Sequence, residues 1–209
     1  MPAIGLPSRL ALLVLPLYLD GTVFQKGGMT HTIEPQLERF LQKHSGSEPL
    51  IAVFDCDGTL IRGDIGESMF YHQLEHFQLR VPPAEIWPDH PKGEELKNLY
   101  ESLSDLPRGK AALDRRFLSF AEMILGWYFG QLDEGKTEKA CSDIVRLFSG
   151  FTPAEVQATA RATLKKELES PIGTRMLGTV ELPVGIRYIR ETVDILNLLR
   201  KRGFDIWVI

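Results

Sequence analysis

The chain has 209 residues, 44% hydrophobic and 25% charged, enough for one good core or for a core domain carrying a smaller inserted one. Its formal net charge of -4 argues against nucleic-acid binding, which rests on clustered lysines and arginines that neutralise phosphates. Two cysteines, Cys56 and Cys141, supply neither a disulfide framework nor metal-ligand spacing, and they read as small buried apolar side chains.

At the amino end, Leu10 to Leu19 ("LALLVLPLYL") is apolar and follows a single basic residue, Arg9. The run has the character of a secretory signal but is too short for a stable membrane span. Pro16 interrupts it, and no small-x-small cleavage pattern precedes "DGTVFQKGGM". A cytoplasmic chain that opens at Met29 is therefore expected, with residues 1–28 a misassigned start; an exported protein with 1–28 as its leader is the alternative.

Residues 34–43 ("EPQLERFLQK") carry a first-turn proline and Leu37, Phe40 and Leu41 at helical spacing, which predicts a short amphipathic helix. Ile51 to Phe54 is a continuous apolar run, as in a strand buried on both faces of a parallel sheet. From Ile65 to about Leu168 the pattern is helical, with prolines at 82, 83, 88 and 91 marking a loop. Thr152-Pro153-Ala154-Glu155 predicts a capping box with a first-turn proline. Ser170 to Pro183 ("SPIGTRMLGTVELP") has the proline and glycine content of a connector. Ile189, Val193, Leu196 and Leu199 then form an apolar stripe; Arg200 to Arg202 crowd its last turn, Gly203 stops it, and "FDIWVI" is a further strand. The order strand, helical insertion, helix, strand predicts an α/β fold: residues 29–63 the first part of the core, 64–170 an all-helical cap, and 171–209 the second part.

The chemistry concentrates in residues 50–61, "LIAVFDCDGTLI". Asp55 stands at the carboxyl end of the predicted strand, where open α/β sheets bind ligands, and Gly58 permits a tight turn away from it. Asp55 and Asp57 lie one residue apart next to buried sequence, so a cation is expected to offset their desolvation and mutual repulsion. Magnesium suits such a pair, because it accepts one or two carboxylates and leaves further positions for substrate phosphate oxygens. Asp55 is then the nucleophile toward phosphorus and Asp57 the general acid and base. An Asp-Gly hairpin turn is a competing reading, but "RGD" follows at once and leaves too short a return strand. An EF-hand loop counted from Asp55 fails, since its sixth and twelfth positions hold Leu60 and Gly66. A helix N-cap at Asp57 is compatible with either role.

"DCDGT", after an apolar strand and before a helical insertion, resembles the first motif, DxDGT, of the haloacid dehalogenase (HAD) superfamily. The resemblance implies an HAD-like Rossmannoid parallel sheet, incomplete here, with a helical cap after the first strand. Its second aspartate resembles the superfamily's phosphatases, in which the nucleophile carboxylate and the backbone carbonyl of the second Asp bind magnesium; this implies Asp55 and Asp57 as ligands of Mg2+. Gly58 and Thr59 match the end of the motif and are implied at the substrate. The cap, with "RGDIGES" and "LFSGFTPAEV", looks like the phosphoserine phosphatase branch and its phosphorylcholine phosphatase-like members. That implies a small phosphorylated metabolite as substrate and an acidic residue soon after the motif, Asp64 or Glu67, contacting a substrate amine. The superfamily's phosphate-gripping Ser or Thr, its Lys and its later acidic pair have no counterpart up to Ile209, so they are expected beyond it and the chain alone is expected to be inactive. Phosphoryl transfer to an acceptor other than water, as in phosphomutases, and a non-catalytic phosphate- or metal-binding role are the alternatives.

Overall fold

The computed structural model describes residues 33–43, 50–82, 85, 87, 90–107 and 109–209. The expectations for residues 1–28 lie outside them. Two compact units result: a core unit, which takes the chain up to Asp64 and again from Ile186, and a helical unit, Ile65–Gly185.

In the core unit, β1 (Ile51–Phe54) pairs in parallel with β6 (Asp205–Val208), Ile51 opposite Asp205 and Phe54 opposite Val208. The inward residues Ala52, Phe54, Ile206 and Val208 pack with Leu41 of α1 (Ile33–Lys43) and with Leu196 and Leu199 of α7 (Arg190–Lys201). Of the predicted stripe α7 buries Val193, Leu196 and Leu199, whereas Ile189 is its half-buried N-cap. Arg202 leaves the helix end to pair with Glu38 of α1, and Gly203, at φ +84, turns the chain into β6. A second ladder joins β2 (Ile61–Arg62) and β5 (Arg187–Tyr188), antiparallel.

The expectation of a strand buried on both faces is corrected. Ile51 is 59% exposed and Val53 58%, and Trp207 stands on the same side of the pair. The apolar run satisfies only one helical layer among the described residues, since α1 and α7 share the opposite face.

The helical unit comprises α2 (Ile65–Glu75), α3 (Gly93–Ser104), a 3-10 turn at Ala111–Leu113, α4 (Arg115–Asp133), α5 (Thr137–Arg146) and α6 (Pro153–Glu169). α4 starts where the Asp114 carboxylate accepts from the Arg116 amide, and α6 where Thr152 and Glu155 form the predicted reciprocal box. Phe70, Leu74, Leu96, Phe120, Ile124 and Tyr128 lie in its core with at most 1% exposure, each side chain contributing on the order of 1.5–3 kcal/mol of burial.

The all-helical cap and the connector over 170–183 are corrected together, because that stretch is a β-hairpin of the helical unit. β3 (Gly173–Leu177) and β4 (Val180–Val184) pair antiparallel around Gly178 and Thr179. Leu177 and Leu182 enter the helical core. Glu122 Oε1 on α4 accepts from the Thr179 amide at 2.7 Å and its hydroxyl at 2.9 Å, and Arg175 Nε donates to Glu75 at 2.6 Å. The residues that suggested a connector have local tasks: Gly178 adopts φ +63 in the turn, and Pro183 sits where an edge strand tolerates a missing N–H.

The cysteines also depart from expectation. Cys56 is half-buried and Cys141 exposed. On α5, Ala140 and Ile144 share the inward face, and helical spacing turns Cys141 away from it.

Candidate functional site

Asp55 is the first residue beyond the carboxyl end of β1. The ladder continues for one step, with Ile209 N donating to Phe54 O at 2.9 Å and Cys56 N to Ile209 O at 3.2 Å. The chain then curls on itself: the amides of Thr59, Leu60 and Ile61 all approach the Cys56 carbonyl, at 3.3, 2.8 and 3.1 Å. Gly58 holds φ +75 with nothing within 4 Å of a would-be Cβ, so backbone conformation rather than space requires glycine there.

Two readings of the motif end at this loop. Ile61 pairs with Tyr188 in a separate ladder, so Asp57-Gly58 is not the turn of a hairpin on β1. The residues after Asp57 form a turn and β2, and the next helix begins at Ile65, so Asp57 is no helix N-cap.

Asp55, Asp57 and Gly58 are exposed and Thr59 is half-buried. Asp55 Oδ2 accepts from the Thr59 hydroxyl at 2.8 Å. Water reaches both carboxylates, which corrects the expectation that a cation must offset their burial. Cys56, between them, is no nucleophile. Its own burial, followed by the charges of Asp57, Asp55 and Asp64, pushes the thiol up to about 11, which keeps it protonated at neutral pH.

The loop thus unites Asp55, Asp57, Gly58 and Thr59, and Asp64 lies within electrostatic reach at the end of the core unit. Glu67 lies in the first turn of α2 in the helical unit. There the Tyr71 hydroxyl donates to its Oε2 at 3.3 Å and the Tyr128 hydroxyl to its Oε1. Burial and the Glu67 carboxylate raise the Tyr128 pKa strongly, so it acts as a donor only. Sequence reading missed both tyrosines as hydrogen-bond partners of Glu67. The i,i+4 spacing from Glu67 to Tyr71 was a usable signal, whereas Tyr128 is 61 residues away.

Asp55 and Asp57 offer hard oxygen donors on a solvent-open loop, the donor chemistry magnesium takes with water and phosphate oxygens completing its shell. The residues fit the ion to that extent. Among the described residues no group of three or more His, Cys, Asp or Glu is arranged to hold a metal. No described helix is long and apolar enough to cross a membrane.

No family model matches the chain, and no curated protein matches it. Among solved structures it is similar to a conserved protein of unknown function from Anaerococcus prevotii DSM 20548, at 18% identity and a TM-score of 0.62. The match covers 88% of this chain and 61% of the other, so this chain spans about three fifths of that structure's length. The likeness concerns the fold alone: a mixed α/β architecture with a small parallel sheet.

Proposed function

We propose that the chain is the amino-terminal part of a magnesium-dependent HAD-type phosphatase that hydrolyses a small phosphomonoester through phospho-Asp55. The observation that carries this reading is the loop itself. A solvent-open carboxylate stands at the carboxyl end of a parallel strand, one of its oxygens fixed by Thr59. A second carboxylate follows two residues on, beyond a backbone gathered on the Cys56 carbonyl.

In the reaction, the free carboxylate oxygen of Asp55 attacks phosphorus as the bond to the alcohol oxygen breaks, and Asp57 in its acid form gives that oxygen its proton. Asp57 then takes a proton from water, whose oxygen displaces Asp55 and releases inorganic phosphate. Mg2+, held by the Asp55 carboxylate and by Asp57, would offset charge between the carboxylate and the phosphoryl group. The HAD resemblance would give an acidic residue soon after the motif, Asp64 or Glu67, the pairing with an ammonium on the alcohol portion, as in phosphoserine or phosphorylcholine.

The test is hydrolysis of an aryl phosphate, with and without Mg2+, by the longest protein the gene encodes. Asp55→Asn is expected to remove activity and the hydroxylamine- and base-labile phosphoryl label. Full activity in that variant would refute the assignment, and transfer of the label to an added alcohol in place of water would make the protein a phosphotransferase.

A further inference from the structure

A cleft of about 900 Å³ opens within the helical unit, lined by the segment after α2, the end of α3, the 3-10 turn and the start of α6. None of the motif residues lines it. Its volume is that of small-molecule sites, which combine an apolar floor with a few polar groups.

The floor is aromatic. Phe77 lies edge-on to Phe120 at 5.4 Å between centroids and tilted against Tyr100 at 5.6 Å. Phe77 holds φ +50, the only left-handed backbone outside glycine among the described residues, and this conformation carries its ring to the wall. Among the described lining residues the arginine, Arg80, is already engaged. Arg80 Nη1 donates to Gly150 O at 2.8 Å and Glu155 Oε2 at 3.1 Å, Nη2 donates to Glu155 Oε1 at 2.6 Å, and the guanidinium lies 4.1 Å over the Phe151 ring. The His76 ring is engaged with the His72 carbonyl. The Tyr100 hydroxyl donates to Leu79 O at 3.5 Å.

We infer that this cleft is a second binding site, for a neutral, largely apolar ring compound that stacks on Phe77 and Tyr100. An anion would have to compete with Glu155 for Arg80, and a cation with Arg80 for Glu155. The site is separate from the phosphoryl chemistry and does not depend on it.

The probe is neutral N-phenyl-1-naphthylamine, titrated into the 209-residue chain and followed by its fluorescence. Ala158 and Ser104, both exposed, face the cleft from α6 and α3. Ala158→Trp and Ser104→Trp each fill the space without touching the floor, and circular dichroism reports whether each keeps its fold. Saturable binding weakened at least tenfold by either folded variant, and unchanged by Ile51→Lys with Val53→Lys on the exposed sheet face, is the expected result. Absence of saturable binding, binding that persists in both filled variants, or loss only with the sheet-face pair overturns the proposal.

Discussion

The Thr59 hydroxyl donates to Oδ2 of Asp55 across 2.8 Å, four residues along a loop that returns on itself. The bond engages one carboxylate oxygen and leaves the other for the attack proposed above. On the phosphatase reading, with this exposed bond worth about 1 kcal/mol net, Thr59→Ala is expected to lower kcat roughly five- to tenfold with little change in KM. Thr59→Ser, which keeps the hydroxyl, should restore most of it.

Tyr128 is 1% exposed, and its hydroxyl donates to the Glu67 carboxylate. Hydrogen bonds to charged groups contribute about 1.5–3 kcal/mol. Tyr128→Phe should lower the unfolding free energy of the helical unit by an amount in that range, read from urea midpoints, and Glu67→Gln combined with it should add less than its separate cost.

Gly178 stands at φ +63 with a would-be Cβ 2.2 Å from Glu122 Oε1. Gly178→Ala therefore meets two penalties, a left-handed backbone worth about 1 kcal/mol and the displacement of the carboxylate that holds Thr179. Urea denaturation should give a loss of at least about 1–2 kcal/mol. In the Glu122→Ala background the same substitution should cost clearly less.

Phe77 closes α2 in a glycine-like conformation, with the Gln78 amide on Gln73 O at 2.8 Å and the Phe77 amide on Leu74 O at 3.0 Å. Its packing on Phe120 and Tyr100 offsets the backbone cost. Both Phe77→Ala and Phe77→Gly should destabilise, and the alanine variant should be worse by about 1 kcal/mol, the backbone cost isolated from the ring.

His72 is held well below its ordinary value, at about 4, by burial first and then by His76 and Lys166, against the opposing pull of Glu75. A base depressed in the folded state stays neutral there while the unfolded chain takes up a proton, so stability is full above about 6.5 and falls as pH drops toward 4. His90 adds to the same window, being lowered by burial while its Nδ1 accepts from the Lys92 amide. The carboxylates held low by arginine, Asp114 and Glu155 at about 2, act below that window, with stability lost from about 4 downward. Urea midpoints from pH 7 to 4 should fall in the wild type, and His72→Gln should flatten that decline.

Local signals carried far in this chain. The capping box at Thr152, the stop at Gly203 and the turn at Gly58 each depend on residues within about one turn of each other, the stripe of α7 repeats along one helix, and each formed as expected. What failed depended on distant partners. Strand β1 reads as apolar throughout, but which face is covered depends on helices far along the chain. Proline and glycine in 170–183 suggested a connector, because the alternation of Val180, Leu182 and Val184 acquires meaning only once Leu182 has a helical core to enter. In the candidate site the loop and its glycine were legible, whereas the exposure of its carboxylates and the Tyr128 bond to Glu67 were not.

Arg62 sits opposite Arg187 in the short β2–β5 ladder, so the chain leaves the core and re-enters it through neighbouring strands. The intervening 65–185 segment, about 120 residues, would impose a long-loop closure cost on the β1–β6 pairing if it were slack. Within that segment α2, at one end, packs on α6, near the other, so its own folding draws its ends together. Once folded it presents two adjacent ends, and the two halves of the core meet as though joined by a tight turn. The insertion thereby acts on assembly as a clasp, and the same paired exit and entry make Arg62 and Arg187 the natural seam for excising or exchanging it.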